Sequence, residues 1–278
     1  VRNILDHFKL VTPDQMDQGR DWYKNAREWA NNIAAKTNRD PGRVYATIAA
    51  LSPNTDWDSN LRQAAHFLMN YDPSMGSKPE DFLPTIGENV HRAAQVHDAQ
   101  TPEEMAALLG PESGHPKIHN FYRNISGDET GVTIDRWMTR VLLGQNGSLV
   151  DADEGAKALS GIGHYDSMAN AVRRATEQVN KAGGVVTGVD ENGKEIRSTI
   201  TPAQMQAMLW LRARGDQKEN KGGKGGLSTP IPDYMQEERY NPDLPEPSYV
   251  KPKLVAPIKK KLKQDAAGYY DSFEDEKA

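Results

Sequence analysis

The sequence predicts a mainly α-helical domain over residues 1–214, with a small β-hairpin inserted late in it and a disordered, charged tail over residues 215–278. Three observations predict this organisation. Apolar residues recur at helical spacing through most of the first part, and residues that cap or break helices separate the periodic segments. β-branched runs on either side of residues 190–193 (DENG) indicate the hairpin, and a Gly-, Lys- and Pro-rich composition begins near Gly215.

Composition limits the chemistry that the chain can perform. With 278 residues, 37% of them hydrophobic, it can bury one good core and have material left over. The absence of cysteine excludes disulfides, thiolate nucleophiles, Cys-ligated zinc and iron–sulfur clusters, and fits a reducing cytoplasm. We see no signal peptide and no membrane-length apolar run, so we expect a soluble protein. The net charge of −5 argues mildly against nucleic-acid binding, although a local basic face can lie on an acidic body.

Capping residues mark the helix starts of the N-terminal half. Thr12 followed by Pro13 predicts the beginning of the second helix, and Thr101 followed by Pro102 predicts another. Pro53 predicts a loop, because a proline keeps the preceding residue out of helical geometry. The predicted helices of this half are two within residues 1–39, then 43–51, 57–70, 87–97, 102–109 and 117–126.

Asp135 is predicted to cap the next helix. The three residues before it are β-branched and favour an extended backbone, and apolar residues at helical spacing follow it up to Gly144. Taken alone, capping explains Asp135 without any catalytic role. A polar loop is predicted after Gly144, then a helix over 166–182, the hairpin over 183–199, and a last core helix that Thr201 and Pro202 begin.

The tail offers one feature that could bind a partner. Lys259, Lys260, Lys261 and Lys263 form a short basic cluster, which either contacts DNA or another protein or is a solvated run of charge. His115 and His119 have the spacing of half a metal site, but no third ligand stands at a persuasive position, so we expect no metal. The sequence contains no Gly-rich phosphate loop, no Ser nucleophile elbow and no HExxH.

Three stretches together resemble the endonuclease III branch of the helix-hairpin-helix DNA glycosylases. Residues 51–60 (LSPNTDWDSN) are similar to that family's LSxQxTDxxxN segment, and residues 134–141 (IDRWMTRV) are similar to its VDTHVxRV, where the Asp is the catalytic carboxylate. Lys117 precedes Asp135 by 18 residues, which matches the lysine that attacks the sugar in bifunctional members. Residues 113–116 (SGHP) stand where the family has its hairpin, and the resemblance covers about residues 40–214.

The resemblance implies that Asp135 and Lys117 are catalytic. A carboxylate near C1′ would stabilise an oxocarbenium-like transition state, and a partly buried lysine could lose its proton and attack. As a solvated surface residue, Lys117 would have no such role. The implied DNA- and base-binding residues, each with a core, capping or salt-bridge role as its alternative, are Ser52, Asn54, Trp57, Asn60, Gly114, Tyr122, Arg123, Arg136, Trp137 and Arg140.

The resemblance predicts an enzyme that cleaves the N-glycosidic bond of a flipped base in DNA, with modified bases favoured. Three sequence segments also resemble a phage-associated offshoot of the superfamily: LSPNTDW (51–57), KIHNFYRN (117–124) and VTIDRW (132–137). Members of that group are linked either to base excision or to attaching an amino acid or amine at an activated 5-methyl group of thymine. We therefore keep a thymine-hypermodifying transferase as the alternative, and a non-catalytic DNA-binding phage protein as a third. We expect a monomer without cofactor, acting on DNA and not on membranes, in the cytoplasm of a bacterial host.

Overall fold

The computed structural model describes residues 1–76, 78–83, 85–110, 114–159 and 164–218, and these are mainly helical, as predicted. The predicted tail beyond residue 218, including its lysine cluster, lies outside the described residues. The helices are α1 (Arg2–Phe8), α2 (Pro13–Thr37), α3 (Pro41–Leu51), α4 (Trp57–Asn70), α5 (Pro79–Phe82), α6 (Gly87–Asp98), α7 (Pro102–Leu109), α8 (Pro116–Ser126), α9 (Arg136–Leu143), α10 (Ala152–Leu159), α11 (His164–Lys181) and α12 (Pro202–Lys218). Strands β1 (Val185–Val189) and β2 (Glu195–Ser198) pair antiparallel and form the predicted hairpin.

Helix starts lie where the capping residues predict them. Thr12 and Gln15 cap α2 reciprocally, with the threonine Oγ1 accepting from the Gln15 amide at 3.2 Å and the glutamine Oε1 accepting from the Thr12 amide at 3.0 Å. Thr201 and Gln204 do the same for α12, at 3.1 and 2.9 Å. Such pairs satisfy amides that the first helical turn leaves unbonded, so neighbouring residues suffice to place these starts.

The structure contains helices that the sequence did not predict, and some predicted boundaries shift. The loop predicted after Gly144 contains α10, whose start is capped by Asp151 with its Oδ1 2.8 Å from the Glu154 amide. The loop predicted over 71–86 contains a short 3-10 helix (Pro73–Met75) and α5. Helix α3 begins at Pro41 rather than at residue 43, because Asp40 caps it. Helix α12 continues through Gly215 to Lys218, beyond the predicted end of the domain.

The described chain divides into two compact units within which contacts concentrate. The first contains residues 1–28 and the described part of 114–218, and the second contains residues 29–110. None of the helices in the described ranges is both long and apolar enough to cross a membrane.

The core of the first unit forms around α9 and α12. Ile134, Met138 and Val141 are fully buried there, together with Met205 and Leu209. Helix α2 approaches α12 closely, since a Cβ on Gly19 would lie 2.5 Å from the Met208 side chain. Helix α9 is therefore packed from several sides, and its first turn is held in a fixed place.

The second unit is a layer of helices around α3, which packs on α4, α6 and α7. All eight residues from Val44 to Leu51 are buried. The stretch is rich in alanine, so its neighbours can approach its backbone closely. Residues 52–56 leave the end of this buried helix and lead into α4.

Candidate functional site

Asp135 lies at the N-terminus of α9 with both carboxylate oxygens engaged. Its Oδ1 accepts a hydrogen bond from the Met138 amide at 2.9 Å, which is the predicted helix cap. Its Oδ2 accepts from the indole Nε1–H of Trp210 on α12, also at 2.9 Å. The side chain is half-buried, so the carboxylate combines fixed partners with partial exposure.

The segment leading to Asp135 is held by one tyrosine rather than by a partner strand. The Tyr165 hydroxyl donates to the Val132 carbonyl at 2.9 Å and accepts from the Ile134 amide at 3.0 Å. Asn120 approaches the same segment, with its Oδ1 3.4 Å from the Val132 amide. Burial raises the pKa of Tyr165, so the hydroxyl keeps its proton throughout the physiological range.

A second buried network supports Thr133 from the other side. The Tyr23 hydroxyl donates to Oε1 of Gln206 at 2.7 Å and lies 3.2 Å from the Thr133 hydroxyl oxygen. Burial raises the pKa of Tyr23 to about 12. Gly131 fits this crowded position because a Cβ there would lie 2.5 Å from the side-chain amide of Asn124. The two networks together fix the backbone that carries Asp135.

Lys117 lies in the first turn of α8, where its surroundings favour the neutral amine. Burial lowers its pKa, the neighbouring Arg136 lowers it as well, and the Asp135 carboxylate opposes them. These effects place Lys117 within electrostatic reach of both residues. Lys117 and the 134–141 stretch, which were predicted from separate motifs, therefore interact electrostatically in the first unit.

Arg123 and Arg140, two of the candidate arginines, make hydrogen bonds that fix their side chains. Arg123 donates from Nε to Oδ2 of Asp128 at 2.8 Å, and its Nη2 bonds the Thr130 hydroxyl at 2.9 Å. Arg140 donates from Nε to the Val150 carbonyl at 2.7 Å, and its guanidinium stacks 4.8 Å from the centre of the Trp137 ring. These contacts give both arginines a structural role, and they fix the ring of Trp137.

The remaining candidates of the first unit lie near the start of α8 and on it. Gly114 has a φ of +76° with open space where a Cβ would stand. Tyr122 is half-buried. Residues 111–113, which precede Gly114, lie outside the described residues. Gly114 is thus a backbone position in open space that only glycine adopts readily.

Ser52 and Asn60, two of the four candidates in the second unit, hold the loop between α3 and α4. The Ser52 hydroxyl donates to the Ala49 carbonyl at 2.9 Å, and Nδ2 of Asn60 donates to the Ile48 carbonyl at 3.0 Å. Both side chains are buried, so their observed contacts are structural.

Asn54 and Trp57, the other two candidates of the second unit, are more accessible. Asn54 is exposed and adopts a left-handed backbone with φ of +55°, and Trp57 is half-buried at the first position of α4. The Asn89 side chain also bonds the loop, with its Nδ2 donating to the Pro53 carbonyl at 2.8 Å. The loop thus presents Asn54 from an anchored backbone.

Comparison with known proteins assigns the chain to a family. Residues 1–217 match the model of a family of unknown function, DUF7178. The chain belongs to the DUF7178 family. No curated protein and no solved structure matches it. The DUF7178 match spans both compact units and includes every candidate residue.

The DUF7178 chain uses two site residues that sequence reasoning missed. Trp210 bonds Asp135 across 75 positions of sequence, and Tyr165 bonds the segment at 132–134 from about 30 positions away. No local pattern links residues so far apart. The only available signal for Trp210 was its place in the helix that closes the core.

The described residues contain no group of three or more His, Asp or Glu side chains arranged to hold a metal ion. His115 immediately precedes α8 and His119 lies one turn further along it.

Proposed function

We propose that this DUF7178 protein is a DNA glycosylase-like enzyme that breaks the N-glycosidic bond of a flipped base, with modified bases as the favoured substrates. The observation that supports this most is the fixed Asp135 carboxylate, which two hydrogen bonds hold at the start of α9 and whose charge acts on Lys117, an amine with a pKa lowered chiefly by burial. An amine that loses its proton more easily than usual, next to a carboxylate, is the pairing that glycosidic cleavage with a lysine nucleophile requires.

Asp135 would act on the charge that develops during cleavage. As the bond between C1′ and the base nitrogen lengthens, the sugar acquires oxocarbenium character. A carboxylate with fixed orientation stabilises that charge without having to reorganise. The hydrogen bonds from the Met138 amide and the Trp210 indole supply the fixed orientation, at 2.9 Å each.

Lys117 would supply the nucleophile. The neutral Nζ attacks C1′, the C1′–N bond to the base breaks, and the departing base takes up the proton that Nζ loses. The C1′–O4′ bond then breaks, O4′ takes up the remaining Nζ proton, and the C1′–Nζ bond becomes a Schiff base, without any other co-reactant. Burial and Arg136 favour the neutral amine that this step needs.

Recognition of DNA would depend on local rather than overall charge. The chain carries a net charge of −5, so a basic face must be local. Arg136 acts electrostatically on Lys117, and we assign it to phosphate contact. Gly114 offers a backbone in open space, and Tyr122 and Trp137 are half-buried aromatic residues for stacking on a base. In the second unit, the anchored and exposed Asn54 is proposed as a separate DNA contact.

The test is incubation of the protein with unmodified host DNA and with base-modified phage DNA, followed by assay for released bases and abasic sites. Borohydride is added in parallel to trap a protein–DNA adduct. We expect base release with the wild-type protein, its loss in Asp135→Asn, and no trapped adduct in Lys117→Ala. Lys181→Ala, an exposed lysine of the same unit, is the matched control and should retain both.

Other outcomes would replace the proposal. Intact DNA with a changed base mass would identify the thymine-hypermodifying transferase instead. Salt-sensitive DNA binding with no product from any DNA would identify a binding protein. Undiminished base release by Asp135→Asn would remove Asp135 from the reaction.

A further inference from the structure

We propose that Trp210 is a positioning residue for the Asp135 carboxylate, an inference that rests on the proposed function. Helix capping alone would leave one carboxylate oxygen of Asp135 to solvent. The structure instead has the indole Nε1–H of Trp210 2.9 Å from that oxygen. Trp210 would thus act through Asp135 rather than on the substrate itself.

The two hydrogen bonds of Asp135 connect its carboxylate to different helices. The Met138 amide belongs to the same helix as the cap, so it moves with Asp135. Trp210 belongs to α12, so its bond ties the carboxylate to a different part of the unit. Rotation of the carboxylate would break one or both bonds, and each involves a charged acceptor, which makes it stronger than a neutral hydrogen bond.

Packing from two sides orients the indole itself. The ring of Trp22 meets Trp210 nearly edge-on, with centroids 6.0 Å apart and planes at 70°. The Arg214 guanidinium lies over the Trp210 ring at 4.7 Å from its centre. A ring held by an aromatic edge and by a cation has little freedom to turn its N–H away from Asp135.

The first turn of α12 is also anchored, which fixes where Trp210 emerges. The Thr201 hydroxyl donates to Oε2 of Glu129 at 3.1 Å, and the Ala203 amide donates to the Glu129 carbonyl at 3.3 Å. Glu129 in turn lies 3.5 Å from the Arg27 guanidinium. The donor and the acceptor are therefore both attached to a rigid framework, as preorganised electrostatic stabilisation requires.

The test compares Trp210→Phe with a variant that carries 3-benzothienylalanine at position 210, which keeps the size and shape of the indole but has no N–H. Single-turnover base release from modified DNA and DNA affinity are measured for both. We expect release to slow roughly ten- to hundredfold, as loss of a hydrogen bond to a charged group predicts, with DNA affinity unchanged.

Trp29→Phe is the matched control. Trp29 is a buried tryptophan of the second unit whose indole N–H has no hydrogen-bond partner among the described residues. Its replacement should leave base release unchanged. Circular dichroism checks that each variant is folded, and the benzothienyl variant keeps the test decisive if the smaller phenylalanine ring disturbs packing.

Failure of this inference can be told apart from failure of the proposed function. Wild-type protein that releases no base overturns the proposed function and, with it, the role of Trp210. Active wild-type protein together with two Trp210 variants that release base as fast as the wild type overturns the positioning role alone. An indole ¹H–¹⁵N resonance of Trp210 that does not move in Asp135→Ala would also overturn it, because the contact would then be absent in solution.

Discussion

Burial lowers the pKa of Lys117 more than the Asp135 carboxylate raises it, so the amine of this pair loses its proton more readily than an ordinary lysine. The two residues lie at the starts of successive helices, α8 and α9. Their interaction is electrostatic.

Arg136→Gln should reduce the reactivity of Lys117 at neutral pH. Arg136 lowers the pKa of Lys117, so its removal raises that pKa and shrinks the neutral fraction. We expect the trapped adduct at pH 7 to form up to about tenfold more slowly, and the difference to disappear as pH rises. The pH dependence of borohydride trapping measures this, and Arg136→Lys, which keeps the charge, should behave like the wild type. Equal pH profiles for Arg136→Gln and the wild type would contradict the prediction.

Lys117→Met should stabilise the folded protein at pH 7. The folded pKa of Lys117 is below its unfolded value, so the unfolded chain binds the proton more tightly and burial of the charge costs stability at low and neutral pH. This cost falls as pH rises through the folded pKa and is gone above the unfolded one, at about 10.4. Urea unfolding at pH 7 and pH 10 should show an advantage for Lys117→Met that narrows at the higher pH. An advantage that is the same at both pH values would speak against the burial effect.

Tyr165→Phe should destabilise the first unit by about 2–4 kcal/mol, because it leaves the buried Val132 carbonyl and Ile134 amide without their partner. Tyr23→Phe is the comparison. Its hydroxyl bonds the side chains of Thr133, Gln206 and Asn124, which can reorient, so we expect a loss of about 1 kcal/mol. Urea denaturation measures the loss in free energy of unfolding for both variants. Equal losses would show that the backbone contacts of Tyr165 stabilise the protein no more than the side-chain contacts of Tyr23.

Gly131→Ala should cost about 1–3 kcal/mol and slow base release, because the added methyl overlaps the Asn124 amide and displaces the backbone that leads to Asp135. Gly188→Ala is the control, since a Cβ on Gly188 meets nothing within 4 Å. It should change stability by less than about 0.5 kcal/mol. Thermal unfolding and single-turnover rates check both variants. If Gly131→Ala changes neither the melting temperature nor the rate of base release, the contact with Asn124 can adjust to the added methyl group.

Acid should weaken the second unit through His97. Burial lowers the pKa of His97 below its ordinary value, and the charges of Arg39 and Arg43 lower it further. The Asp98 carboxylate, which bonds His97, opposes this change. Asp98 also accepts a hydrogen bond from the Tyr71 hydroxyl. Because the folded pKa is depressed, the stability at stake is fully present above about pH 6.5, the unfolded value, and is lost as pH falls towards the folded pKa.

Thermal unfolding at pH 5.5 and 7.5 measures this acid effect. We expect His97→Gln to reduce the difference in melting temperature between the two pH values. His91→Gln, an exposed histidine on the same helix, is the control and should preserve the wild-type difference. Full retention of the acid sensitivity in His97→Gln would assign it to other groups.

Local patterns determined the helix starts. Thr12, Thr101, Asp135 and Thr201 each cap a helix where the sequence predicts it, because the amide that each one bonds lies three residues away. The hairpin was predicted for the same reason, since its turn residues and strands are neighbours in sequence. Helix α10 was not predicted because its eight-residue run, ADEGAKAL, has a single large apolar residue, and it packs through Gly155 against α9.

The sequence by itself determined which residues could carry the chemistry: it singled out Asp135, Lys117 and Arg136, and it placed Asp135 at a helix start. Only the tertiary structure decided what surrounds them. It adds the Trp210 indole bonded to Asp135, the Tyr165 hydroxyl bonded to the segment before Asp135, and the burial that lowers the pKa of Lys117. Each of these depends on contacts between distant parts of the chain. A cap depends on bonds within one helical turn, whereas these contacts exist only after α8, α9, α11 and α12 have packed.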